Sequence, residues 1–162
     1  MKTLPRYATA TFATPVGPLS VAADSLGAVV GSAFGPAAKL RKRLKPCQLK
    51  TDPAGLPTVG RAIEAYFGDS RIPFPLALSP TGTPFQQRVW RALRAIPPGE
   101  TRSYSQLAST LRSGARAVGR ANATNPICLF IPCHRVIGAD GSLAGYAFGE
   151  TIKRRLLDHE RQ

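Results

Sequence analysis

The chain has 162 residues, enough for one good core or two small domains sharing an interface. Its apolar fraction is that of a folded globular protein, which excludes a disordered tail. Lys and Arg outnumber Asp and Glu by 22 to 9, a formal charge of +13 that points to a polyanionic partner, nucleic acid ahead of an acidic membrane surface.

No apolar run approaches membrane-spanning length. Lys2 and Arg6 are not followed by an apolar core, so no signal peptide is expected. Cys47, Cys128 and Cys133 have no regular spacing, and reduced thiols in a cytoplasmic protein are the natural reading. With only His134 and His159 and no Cys-x-x-Cys pair, no metal site is expected. The chain has neither a glycine-rich phosphate loop nor a dinucleotide fingerprint, so no cofactor is expected either.

In chain order, residues 7–12 favour a strand, residues 14–18 a turn, residues 19–23 a second strand and residues 28–34 a third. These strands predict a small antiparallel sheet built from hairpins. The basic run from Ala37 to Lys45 sets Leu40 and Leu44 four apart and reads as a solvated amphipathic helix or loop. Nucleic-acid contact is the alternative there. Pro46 to Pro57 reads as a loop. Val59, Ile63 and Phe67 predict a helix that stops at Gly68. Residues 72–78 alternate proline with apolar residues, which suits an edge strand or an extended connection. A domain boundary is expected between Ser79 and Gly82, giving domains 1–80 and 81–162.

Beyond it, Thr83, Pro84 and Gln86 form a capping box opening a helix whose inner face is Phe85, Val89, Ala92, Leu93 and Ile96. Pro97 to Gly99 ends it. Ser103 and Gln106 open a second helix with Leu107, Ala108 and Leu111 inward, and a third runs from Ala115 to Thr124. Two short helices joined by a tight turn containing Gly114 read as a helix-turn-helix. The second of the pair sets Arg116 and Arg120 among the small residues Ala117, Gly119, Ala121 and Ala123. Such a surface either approaches a nucleic-acid groove or packs tightly in a core, and the charge favours the groove.

Asn125 to Val136 reads NPICLFIPCHRV. Pro126 and Pro132 disfavour helix in the residue before each, so the apolar run Ile127 to Ile131 is expected to be an extended, buried strand. It delivers Cys133 beside His134. A nucleophilic thiol and a small core residue are evenly balanced on that stretch alone. Asp140-Gly141 is a strong turn signal. The last helix, Thr151 to Glu160, is expected to bury Ile152, Leu156 and Leu157. Glu160 shares the face of Leu156 and reads as a frayed surface residue unless it finds a partner, with His134 the first candidate and Arg135 a competitor. The fold class is α+β: a small N-terminal antiparallel sheet with a helix, then a mostly helical, winged-helix-like helix-turn-helix domain.

From Thr83 to Glu160 the segments FQQRVWRAL, IPPGETRSYSQLA, ARAVGRANATNP, IPCHRVIG, GYAFG and KRRLLDHE stand in order, and through them the chain closely resembles the O6-alkylguanine-DNA alkyltransferases. The resemblance implies direct DNA repair. An alkyl group moves irreversibly, once per molecule, from O6-alkylguanine or O4-alkylthymine in double-stranded DNA onto Cys133 of a monomeric protein. By the same resemblance His134 accepts the thiol proton, Glu160 orients the imidazole and Tyr104 donates to a guanine ring nitrogen. Val136, Tyr146 and Ala147 would line the guanine pocket, and Asn125 would tie together the turns around it. Arg116 would enter the duplex in place of a flipped base, with Ala115, Ala117, Gly119, Arg120 and Ala121 in the minor groove.

Two positions depart from the family pattern: Phe148 stands where a small residue is common, and Glu150 where an apolar one is. The zinc ligands of some relatives are absent. Two other readings compete. A lesion-binding module that leaves the alkyl group in place is opposed by the presence of Cys133. A cysteine hydrolase lacks an oxyanion motif and leaves the helix-turn-helix without a role.

Overall fold

The protein's structure is a computed structural model that describes residues 3–143 and 145–162; Lys2, which figures in the sequence reading, lies outside them. The chain divides into two compact units, Met1–Pro80 and Thr81–Gln162. The architecture is α+β.

The first unit is built on four strands, β1 (Arg6–Phe12), β2 (Leu19–Ala23), β3 (Val29–Phe34) and β4 (Gln48–Thr51), in the order β3-β2-β1-β4. The two hairpins follow the turn chemistry. Gly17 and Gly27 adopt positive φ, and the Asp24 carboxylate accepts from the backbone of Leu26 and Ala28. The sheet is mixed, however, because β4 pairs in parallel with β1, setting Arg6 against Gln48. It lies inside the stretch read as a loop. Gln48, Leu49, Lys50 and Thr51 give no apolar alternation because β4 is an edge strand whose side chains are exposed or half-buried. Backbone pairing with β1 supplies what side-chain pattern does not.

Ala22, Ala23 and Ala33 are weak strand formers, yet β2 and β3 are wholly buried. A 3₁₀ helix (Ala37–Lys42) packs against both strands, and helix α1 (Pro57–Gly68) rests on Phe12 at Gly60. The α1 seam is Val59, Ala62, Ile63 and Tyr66; Tyr66, not Phe67, is the buried aromatic, stacked on Phe74. Residues 72–78 form no strand. Backbone bonds from Val29 to both Ala77 and Ser79 nevertheless pair this segment with the first residue of β3.

The second unit begins with α2 (Pro84–Arg94), opened by the expected Thr83–Gln86 capping box. Its buried face includes Trp90, whose Nε1 donates to the Ala121 carbonyl at 2.8 Å. A short strand β5 (Arg102–Ser103) leads into α3 (Tyr104–Leu111), capped by Ser103 and Gln106 as the spacing predicts. Arg112 ends α3 at φ +53 and Gly114 starts α4 (Ala115–Ala123), which makes the helix-turn-helix.

Strand β6 (Val136–Ile137) pairs in parallel with β5, Arg102 against Val136 and Ser103 against Ile137. The start of α3 is thereby fixed beside the chain just after Cys133 and His134. The Asp140-Gly141 turn forms, with Gly141 at φ +84. Helix α5 (Glu150–Glu160) buries Lys153, Leu156, Leu157 and Glu160 at helical spacing, while Ile152 is only half-buried.

Gly82 stands against the Trp90 ring so closely that a Cβ there would lie 2.4 Å from its outer edge. The ring cannot yield readily, because its indole N–H is bonded across to α4. Gly82→Ala is therefore expected to lower stability by about 1–3 kcal/mol, an overpacking penalty read from the midpoint of urea unfolding.

Candidate active site

The stretch from Asn125 to Val136 is buried throughout, but it is not a strand. Leu129 takes a left-handed conformation at φ +73, and the Ile131 N–H returns to the Ile127 carbonyl, so the apolar run closes into a turn. Asn125 makes this possible. Its amide donates to the Ile131 carbonyl at 2.8 Å, and its side-chain oxygen accepts from the Ile127 N–H at 3.0 Å. The proline rule rightly excluded helix before Pro126 and Pro132. It could not reveal that a side chain would satisfy the backbone in place of a neighbouring strand. Cys133, His134 and Arg135 then form a single 3₁₀ turn.

His134 is fully buried, and its Nε2 lies 2.7 Å from Glu160 Oε1. Arg135 holds the same carboxylate, Nη2 to Oε1 at 2.8 Å and Nε to Oε2 at 2.9 Å, and its Nη1 donates to the Ile96 carbonyl beyond α2. Glu160 is thus no frayed surface residue. The candidate partner His134 and its competitor Arg135 both bind it.

Burial pushes the Glu160 carboxyl upward, but hydrogen bonds from His134 and Arg135, with their charges, outweigh it and hold the carboxyl well below the usual carboxylate range. Burial lowers His134 below its ordinary value, against the bond and charge of Glu160 and with help from the charges of Arg135 and Lys153. The ring is therefore neutral at neutral pH, and an ionised Glu160 takes the Nε2 proton as its hydrogen bond. That tautomer leaves a lone pair on Nδ1, which has no protein hydrogen-bond partner among the described residues. An unprotonated nitrogen on a buried, oriented ring is a hydrogen-bond acceptor.

Tyr104, at the first position of α3, reaches this site. Burial, and then the charge of a Cys133 thiolate, raise its phenol above the ordinary value, with the neighbouring Asn122 amide drawing it back. A phenol so raised stays protonated and remains a donor. Its ring lies along Gly119 of α4. Asn122 also donates to the Cys133 carbonyl at 3.4 Å. Val136 is completely buried directly after the 3₁₀ turn, and Tyr146 is buried with Phe148 edge-on to its ring at 5.6 Å. Ala147 is exposed.

The faces of α4 divide the residues expected to meet DNA. Ala115, Arg116 and Arg120 are exposed, and Ala117 and Gly119 are half-buried. Ala121 is buried against α2, with its carbonyl taken by Trp90. Its side chain belongs to the core, as the 3.6-residue repeat from Val118 dictates.

Two further residues of the site escaped the sequence reading. Asn122 sits on the buried face of α4. Lys153 has no exposed surface, its Nζ lies 5.7 Å from the centre of the Tyr146 ring, and it has no hydrogen-bond partner among the described residues. Burial lowers its pKa, opposed by the charges of Cys133 and Glu150. The seven-residue spacing to Glu160, two helical turns, could have disclosed it. Among the described residues no group of His, Cys, Asp and Glu could hold a metal ion. None of the helices there is long and apolar enough to cross a membrane.

Residues 84–162, which contain every side chain of this site, match the family model described as 6-O-methylguanine DNA methyltransferase, DNA binding domain. A Mycobacterium tuberculosis protein named methylated-DNA–protein-cysteine methyltransferase is 41% identical over 155 residues, covering 93% of this chain and 90% of its own length. The chain belongs to the methylated-DNA–protein-cysteine methyltransferase family. A Methanosarcina acetivorans methyltransferase of the same name is also 41% identical, over 93% of this chain and 96% of its own. In structure, the methyltransferase fold extends across both units. The crystal structure of Mycobacterium tuberculosis OGT in complex with DNA aligns with a TM-score of 0.82 at 39% identity, over 96% of this chain and 92% of that one.

The buried triad predicts an acid-labile fold with a definite sign. Glu160 is depressed in the folded state, so its contribution is complete above the unfolded carboxyl value of about 4.3 and is lost as pH falls below it. His134 is also depressed, so stability starts to fall as pH drops through about 6.5, where the unfolded histidine takes a proton that the folded one refuses. Urea unfolding across this range should show both losses. Glu160→Gln should remove the lower one and cost about 3–5 kcal/mol at neutral pH, because Arg135 is left as an uncompensated buried charge.

Proposed function

We propose that the protein repairs DNA by moving the alkyl group of O6-alkylguanine irreversibly onto Cys133, one group per molecule, with O4-alkylthymine as a second substrate. Residues 81–162 form the DNA-binding and alkyl-transfer domain, and residues 1–80 an N-terminal α/β domain. The observation that carries the reading is the His134 ring, bonded through Nε2 to Glu160 with Nδ1 left as a buried acceptor. Family membership supplies the reaction class; the ring supplies the means to start it.

The carbon–oxygen bond of an alkyl ether on guanine resists ordinary nucleophiles, and thiolate is the side chain best suited to attack saturated carbon. His134 Nδ1 takes the Cys133 proton through a bridging water, and Glu160 supports the imidazolium that forms. Sulfur bonds to the alkyl carbon as the carbon–oxygen bond breaks, and the electron pair passes into the guanine ring. Tyr104 donates its proton to a ring nitrogen, so guanine departs neutral, and the imidazolium proton restores the phenol. The Lys153 ammonium steadies the negative charge on sulfur before attack. The product is a thioether, which is stable, so no second cycle follows.

The base reaches Cys133 by leaving the duplex. Exposed Arg116 fills the space left behind, and the small residues Ala115, Ala117 and Gly119 let α4 lie in the minor groove with Arg120 toward the phosphates. Val136, Tyr146 and Ala147 line the guanine pocket, and Asn125 keeps the turn beneath it rigid. Phe148, packed on Tyr146, narrows the wall on the alkyl side. The three cysteines, none of them in a disulfide, suit a reducing compartment, the cytoplasm. Because every reacting group comes from one chain, a monomer suffices.

Incubating the protein with a duplex bearing O6-methylguanine is expected to add a single methyl group to its intact mass, mapped to the Cys133 peptide and absent from Cys133→Ser. Methyl remaining on the DNA in the presence of folded protein would overturn the reading. The base-replacement role makes a separate prediction. Arg116→Ala should slow repair in duplex DNA roughly tenfold or more, about 1.4 kcal/mol, while leaving reaction with free O6-benzylguanine near the wild-type rate. Equal losses on both substrates would remove Arg116 from that role.

A further inference from the structure

The first unit carries a concentration of positive charge for which the alkyl-transfer site has no use. Residues 1–80 hold ten Lys or Arg and four Asp or Glu, and five of those cations fall between Lys39 and Lys45. From Ser25 to Thr51 the chain has no acidic residue at all. Lys39, Arg41, Lys42 and Lys45 are exposed, and none has a carboxylate within ion-pair distance among the described residues. Four like charges within seven residues repel one another at short range, so an unpaired cluster of this kind is a standing electrostatic strain unless an anion relieves it.

The cluster is also held in place, which a merely solvating run does not require. Leu40, in the middle of it, has no exposed surface and packs with the 3₁₀ helix on β2 and β3. Leu44 seats against β3 at Gly31, where a Cβ would stand 2.7 Å from the leucine methyl. The helix entry is fixed as well. Gly35 adopts φ +118, its N–H donates to the Pro18 carbonyl, and its own carbonyl accepts from Ser20 Oγ at 2.7 Å. The two leucines point inward and the cations outward from one rigid turn of backbone.

We propose that Lys39, Arg41, Lys42 and Lys45 form a second phosphate-binding surface, by which the first unit grips the DNA backbone independently of helix α4. The partner is a nucleic acid and not another copy of this chain, because residues 81–162 are also basic, twelve Lys or Arg against five Asp or Glu. With no aromatic side chain between Phe34 and Tyr66, the surface offers no platform for base stacking, so it reads phosphate charge and not sequence. The inference takes DNA as the substrate from the proposed function but does not depend on the chemistry of Cys133.

The test is the salt dependence of binding to an undamaged duplex of several helical turns, measured by fluorescence anisotropy on the full chain. Replacing Lys39, Arg41, Lys42 and Lys45 together by Gln should weaken binding at least about tenfold at fixed salt. The slope of log affinity against log salt should become shallower by about 0.9 for each phosphate that the variant no longer neutralises. Reaction of the same variant with free O6-benzylguanine should keep its wild-type rate, which shows that the fold and the Cys133 site are intact. A second variant, Lys39→Arg, Lys42→Arg and Lys45→Arg, retains the charge and should retain the wild-type slope. An unchanged affinity and slope in the Gln variant would overturn the proposal. So would loss of binding to phosphatidylserine vesicles with the DNA slope unaltered, which would assign the surface to a membrane. Failure of methyl transfer in the wild type alongside a shallower slope in the Gln variant would sink the alkyl-transfer reading and leave this one standing.

Discussion

The carboxylate of Glu160 is the point on which the second unit turns. One buried anion accepts from His134 and from two nitrogens of Arg135, and Arg135 reaches on to the Ile96 carbonyl. Three segments distant in sequence, the end of α2, the Cys133 turn and the end of α5, therefore meet at a single charge. A buried ion pair is weak as a source of net stability, since removing two charges from water offsets much of their attraction. Its value here is geometric. It fixes which nitrogen of the histidine carries the proton and which keeps its lone pair.

Around that anchor the backbone is arranged so that Cys133 is presented by a turn and not by a strand end. Asn125 takes on the backbone bonding that a neighbouring strand would otherwise supply, and Leu129 accepts a left-handed conformation that costs a non-glycine residue about 1–2 kcal/mol. Strain of this order persists where surrounding bonds over-determine the conformation. The two-residue pairing of β5 with β6 then brings Tyr104 to the same place from the other side. Asn122, touching both the Cys133 carbonyl and Tyr104, joins helix α4 to the site.

Much of this is legible in the sequence. Both capping boxes open the helices they announce, because a cap is a local bond between residues three apart. The hairpin turns follow for the same reason. What escaped detection was non-local. Strand β4 carries no apolar alternation because its partner, not its own side chains, makes it a strand. The apolar run before Cys133 has a strand's composition and a turn's structure, a choice decided by the Asn125 side chain. Ala121 shares the small size of its neighbours on α4, yet the indole N–H of Trp90 claims its carbonyl and the core claims its methyl. Glu160 looked like a fraying terminus because sequence shows the spacing of a face but not what that face will meet. Lys153 was hidden by the expectation that lysines are exposed.

The length of chain spanned by the Glu160 contacts has a consequence for synthesis. The carboxylate lies 26 residues after His134, and Arg135 ties back 39 residues to Ile96. Until α5 docks, His134 has neither its orienting carboxylate nor its buried surroundings. Under the proposed alkyl transfer, docking of the last helix therefore also gives Cys133 its base, through the contact that ties α5 to the Cys133 turn.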